Sequence, residues 1–225
     1  MAQRGRPRGF DRDHALRRAM ELFWQVGYEG ASLTALTTAM GITPPSLYAA
    51  FGDKEALFRE AVGLYDRTEG AEADRALWTE PTARGAVREM LLANVAASTD
   101  PHKPSGCMIV LAAMTGPARG DQVRAFLAES RRTSAEALRR RLDDGRRSGE
   151  LPPDTDIDTL AGFYVTVLHG LSIQARDGAG RAALAAVVEQ AMRAWPAAGH
   201  PPADLVRAGA PTARAGRRPG GPSGP

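Results

Sequence analysis

The chain has 225 residues, 43% of them hydrophobic, a single cysteine and a formal net charge of +3. That length supports one or two domains with a real core. The lone Cys107 excludes an internal disulfide and a multi-cysteine zinc site, and with neither an eighteen-residue apolar run nor a signal-peptide pattern a cytoplasmic protein without a membrane partner is expected.

Charge is uneven: six arginines against Asp11 and Asp13 give +4 over residues 1–18, four arginines against Asp204 give +3 over 197–225, and the middle carries about −4. A basic N-terminus is the electrostatic footprint of a nucleic-acid binder, because phosphate neutralisation supplies most of the nonspecific affinity. Arg4 and Arg6 are the expected arm contacts.

A first helix is expected from about Asp11 to Val26, with Ala15, Leu16, Ala19, Leu22, Phe23 and Val26 as an apolar stripe. Ser32 stands as a cap before a short helix ending at Met40, with Leu33, Leu36 and Met40 inward. Gly41 suits a left-handed stop, Ile42 a plug between helices, and Thr43 with Pro44 a cap followed by a first-turn proline. The next helix runs to about Phe51. Leu47 and Phe51 face in, which leaves Thr43, Pro45, Ser46, Tyr48 and Ala49 outward. Hydroxyls, a tyrosine and an open helix N-terminus suit phosphate oxygens and base edges. Asp53 caps a fourth helix, with Leu57, Ala61, Leu64 and Tyr65 on one face and Lys54 in its first turn.

Gly27-Tyr28 followed by Ser32, Leu33, Leu36, Gly41, Ile42, Thr43, Leu47, Tyr48, Phe51, Lys54, Glu55 and Leu57 at these spacings resembles the DNA-binding domain of the TetR/AcrR family of one-component repressors. The resemblance covers roughly the first 65 residues. It departs at Thr37, where the family usually has alanine, and at the consecutive prolines Pro44 and Pro45. It implies an all-α protein: an N-terminal three-helix helix-turn-helix domain (1–65), then an all-helical ligand-binding and dimerisation domain (66–195), with a tail (196–225). By this resemblance and the residues above, double-stranded DNA would be met by Arg4, Arg6, Ser32, Thr34, Thr43, Pro44, Pro45, Ser46, Tyr48 and Lys54, with Lys54 similar to the family's phosphate-contacting lysine.

Beyond Arg67, glycine and proline breaks divide five further expected helices, at about 82–98, 105–115, 121–148, 157–176 and 181–195. The long one shows Val123, Phe126, Leu127, Ser130, Ser134, Leu138 and Leu142 on one side. Its arginine face is read as solvated and locally paired with Glu136, Asp143 and Asp144. The last two are apolar on two sides and need partners on two sides. Phe163, Val167, Leu171, Leu184, Val188 and Trp195 are therefore expected at a homodimer interface, in line with the bundle that the resemblance implies. Twofold-related reading heads would read a palindrome. Past Trp195 the composition favours disorder.

Met90, Met108, Leu111, Met114, Phe126, Phe163 and Tyr164 are candidates for an adaptable apolar effector pocket, and equally for core. No cofactor or metal is expected, because His14, His102, His169 and His200 lie in separate segments without ligand spacing. No Walker loop, nucleophile elbow or dinucleotide fingerprint occurs, so an enzyme is not expected. Cys107 follows Gly106 at a helix start, where a thiol pKa can fall, which keeps a redox- or electrophile-sensing regulator as the alternative to a ligand-released repressor.

Overall fold

The computed structural model describes residues 9–112 and 121–196. Every regular element among them is helical: α1 (Arg12–Gly30), α2 (Leu33–Met40), α3 (Pro44–Phe51), α4 (Lys54–Thr68), α5 (Ala71–Thr79), α6 (Ala83–Ser98), α7 (Met108–Leu111), α8 (Asp121–Arg147), α9 (Ile157–Arg176) and α10 (Arg181–Ala191), which ends in a 3-10 turn, Met192–Ala194. None of these helices is long and apolar enough to cross a membrane. Met114, the arm with Arg4 and Arg6, and the expected tail beyond Pro196 lie outside the described residues.

The caps sit where local chemistry puts them. Asp11 accepts from the amides of Asp13 and His14, Ser32 from Ala35, Thr43 from Ser46 and Asp53 from Ala56. Each satisfies backbone donors that the first helical turn leaves open. Gly41 closes α2 in the left-handed region at φ 66°. Its N–H reaches the Thr38 carbonyl and the Ile42 N–H reaches Thr37, which ends the helix within one residue.

Two hydrophobic cores result. The first joins α1–α4, through Phe23, Trp24, Leu36, Leu47, Leu57 and Phe58, to Met108, Ile109 and Ala112 around α7 and to Val123 and Leu127 of α8. The second gathers α5, α6, α9, α10 and the later turns of α8, with Leu91, Leu138, Leu142, Tyr164, Leu184 and Val188. Helix α8 thus reaches both. Its outer arginines pair as expected, Arg139 with Glu136 at 3.6 Å and Arg147 with Asp144 at 3.0 Å.

Several expectations change. Helix α5 is additional to the expected set: its cap is Gly70 without a side-chain bond and only Leu77 is buried, so neither signal is strong. The described part of the expected 105–115 helix is four residues, because Cys107 and the residues before it are extended or turning. Leu33 and Val26 are 38% and 40% exposed rather than inward. The short α2 has room for only Leu36, Thr37 and Met40 inside, and α1 breaks at Gly27 directly after Val26.

Candidate DNA interface and effector region

Helix α3 presents its reading face as a continuous exposed strip. Thr43, Pro44, Pro45, Tyr48 and Ala49 are exposed, Ser46 is half-buried, and Leu47 and Phe51 hold the helix from behind. Both prolines fall in the first turn, where their missing N–H groups remove no intrahelical bond. The Thr43 and Ser46 hydroxyls lie 2.9 Å apart. Tyr48 is 49% exposed, an aromatic ring held in water by a rigid helix. Ser32 and Thr34 are exposed at the start of α2 beside it. A concavity of about 350 Å³ lies between Gly9 and Phe10 ahead of α1 and Ile42, Thr43, Ser46 and Ala50 at the reading helix.

Lys54 stands half-buried at the start of α4 with its ammonium 4.3 Å from the Tyr28 ring centroid. That stacking orients the charge without neutralising it. Burial pushes the lysine pKa down while Glu29 pulls it up. Tyr28, pushed upward by burial and then by Glu55, Glu29 and Asp53, keeps its proton. The Tyr28 platform is not among the expected site residues, although the Gly27-Tyr28 pair marks the position. Arg12, counted in the basic N-terminus, is committed within the fold. Its guanidinium bonds Glu60 at 2.8 Å and the Ala50 carbonyl at 3.2 Å and lies over Phe51. It braces α3 against α1 and α4.

The expected effector residues are not brought together. Met108 lies in the first core, Phe126 packs against it, and Leu111 is half-buried beside them. Met90 and Tyr164 lie in the second core, and Phe163 is 40% exposed. Helical spacing shows which side faces in but not which of two cores it meets. Burial pushes the Tyr164 phenol up to about 12, and its hydroxyl has no partner among the described residues.

The expected dimer stripe is also redirected. Leu171, Leu184 and Val188 are at most 1% exposed and belong to the protomer's own core. Val167 and Trp195 are half-buried. The large apolar residues left outward on these helices are Phe163 on α9 and Val187 on α10; Ala183 on α10 is also exposed and Gly170 on α9 half-buried.

Cys107 precedes α7, half-buried, where the Tyr65 hydroxyl bonds its thiol. The amides of Val110 and Ile109 lower its pKa as a helix start should, but burial outweighs them and the thiol is pushed up. The neighbouring Gly106 carbonyl accepts from the Trp24 indole at 2.8 Å.

The reading head matches the family model described as bacterial regulatory proteins, tetR family, over residues 15–61, and residues 83–192 match the tetracyclin repressor-like C-terminal domain. The chain belongs to the TetR family. Among curated TetR-family relatives, the transcriptional repressor ComR of Escherichia coli is 37% identical over 196 residues, 86% of this chain and 92% of ComR. The uncharacterized regulator YezE of Bacillus subtilis is 34% identical over 163 residues, 71% of this chain and 82% of YezE. A cysteine-substituted form of the TetR family regulator CifR, solved with a 26-bp operator DNA, is 53% identical with a TM-score of 0.82, covering 85% of this chain and all of that one. As a TetR-family member the chain is a DNA-binding transcriptional regulator and not an enzyme.

Proposed function

We propose that the chain is a homodimeric repressor, working in the cytoplasm, that binds a palindromic operator and is released from it by a small-molecule effector. The observation that carries this reading is the exposed strip of α3, capped by Thr43 and flanked by the ring-mounted Lys54. ComR is named a repressor and CifR was solved on operator DNA, which supports the same role here. One short helix reads too few base pairs to specify a site, and a twofold axis doubles them. The outward Phe163 and Val187, with Gly170 and Ala183 allowing close approach, give that axis a surface. Selection from a random duplex library by the purified protein is expected to recover an inverted repeat. Recovery of no common sequence would overturn the reading.

A second reading, release through Cys107 chemistry, is favoured by its position. Its thiol is bonded to Tyr65 of the reading head and adjoins the Gly106 carbonyl held by Trp24, so a modification there would press on α1 and α4 together. A Cys107→Ser protein that is still released from the selected operator by an effector would discard it.

A further inference from the structure

The two cores leave a polar layer between them. On α8, the first core ends at Leu127 and the second resumes at Leu138. Arg131 lies in the gap. His169 of α9 lies close enough to feel the Arg131 charge, and farther along α9 the Ser172 hydroxyl lies 3.4 Å from Asn94 of α6. Ile109 and Leu111 on α7 and Leu168 on α9 supply apolar side chains beside this layer, and Ser130 on α8 is half-buried.

On α8, Arg131 and Arg141 are the arginines held inside the fold by a backbone carbonyl rather than a carboxylate, Arg141 by that of Glu80. Arg132, Arg139, Arg146 and Arg147 each have a carboxylate in reach. Arg131 is half-buried, and its one hydrogen bond among the described residues is a 3.4 Å contact to the Ile109 carbonyl of α7. A guanidinium has five N–H donors in a planar fork, and most of these meet no acceptor among the described residues. His169 is half-buried, and neither ring nitrogen has a hydrogen-bond partner among the described residues. Arg131 lies near enough to help burial push the imidazole pKa down, which keeps it neutral with one N–H to donate. The Ser172 hydroxyl lies 3.1 Å from the Leu168 carbonyl and 3.4 Å from Asn94 Oδ1, sharing one hydrogen between them, and the Asn94 amide N–H₂ has no acceptor among the described residues. The layer is rich in donors, positively charged, and bounded by hydrocarbon.

We propose that this layer is the effector site and that it takes a small organic carboxylate, held in a bidentate pair by Arg131 with His169 and Asn94 as additional donors. The pairing follows from geometry, since a guanidinium fork matches a carboxylate and the neutral donors fill its remaining lone pairs. The apolar walls select an organic acid over an inorganic anion. Such a ligand bridges α7, which belongs to the reading-head core, to α8 and α9, and so acts on both bodies at once. The proposal rests on the effector-released reading above, but its test needs no DNA.

The full-length protein is titrated with acetate, benzoate and octanoate, each against its neutral amide, with binding followed by calorimetry and by the thermal unfolding midpoint. At least one carboxylate is expected to bind saturably in the millimolar range or tighter, its amide at least tenfold more weakly. Arg131→Gln should lose at least tenfold in carboxylate affinity and His169→Gln several-fold, while Arg140→Gln, exposed on the same helix, should bind as the parent does. Circular dichroism identifies a variant that fails to fold, and the remaining variant then decides. Binding of no carboxylate, equal binding of acid and amide, or unchanged affinity in folded Arg131→Gln overturns the proposal. Operator binding is measured separately: release by a neutral compound alone would reject the carboxylate and keep the effector-released reading, and absence of any operator binding would reject that reading.

Discussion

Val187 and Val188 are sequence neighbours with opposite surroundings, so a glutamate at each separates the dimer surface from the protomer core. Val188 is 0% exposed among Leu184, Tyr164 and Ala191. Replacing it with glutamate forfeits about 1.5–3 kcal/mol of burial. Holding the new carboxyl neutral at pH 7 requires a pKa raised by roughly three units, about 4 kcal/mol more. The total, roughly 5–7 kcal/mol, is comparable to the whole stability of a domain, about 5–15 kcal/mol. Val187 is 39% exposed, and an exposed substitution changes a protomer by only about 0.5 kcal/mol. At a twofold interface, however, it sets two carboxylates against each other. Light scattering and circular dichroism should find Val187→Glu monomeric, helical and weak on the operator, and Val188→Glu unfolded or aggregated. A soluble, helical, monomeric Val188→Glu beside a dimeric Val187→Glu would refute this assignment of faces. Wild-type protein that is monomeric at micromolar concentration would refute the dimer itself.

On the reading head, Tyr48→Ala should leave the urea midpoint unchanged and weaken operator binding by roughly 1–3 kcal/mol in an anisotropy titration; unaltered affinity would remove Tyr48 from the contact surface. Replacing Arg4, Arg6 and Arg8 with alanine should weaken binding to all duplexes and flatten log affinity against log salt by about 0.9 for each phosphate no longer neutralised, whereas an unchanged slope means the arm does not touch phosphate. Gly106 has φ +78°, and a Cβ there would lie 2.6 Å from both Leu111 Cδ1 and the Ser172 carbonyl oxygen. Gly149, at φ +85°, has nothing within 4 Å of a Cβ. Urea unfolding should therefore assign about 1 kcal/mol to Gly149→Ala and roughly 2–4 kcal/mol to Gly106→Ala, the difference being the backbone clash, and equal losses would show that α9 yields.

The reading head was the most legible part because its signals are local. Asp11, Ser32, Thr43 and Asp53 cap within three residues of themselves, and Gly41 needs only its own φ to stop α2. Farther on, information of longer range was needed. An amphipathic stripe declares that something covers it without declaring what, so Leu184 and Val188 read as interface when α6 and α9 of the same protomer cover them. Met90 and Met108 have the same hydrophobic character and lie in different cores. Tyr28 under Lys54 and Trp24 on the Gly106 carbonyl join distant segments, and no periodicity encodes such pairs.

The first core includes Met108, Ile109, Ala112, Val123 and Leu127 alongside the helices that hold α3. A reading head cut after Tyr65 would therefore expose one side of its interior and lose the acceptor for Trp24. Exchange of operator specificity between relatives by joining heads and bodies at that point would break packing even where both parents are stable. The transplantable unit is discontinuous: α1 to α4 together with α7 and the first two turns of α8.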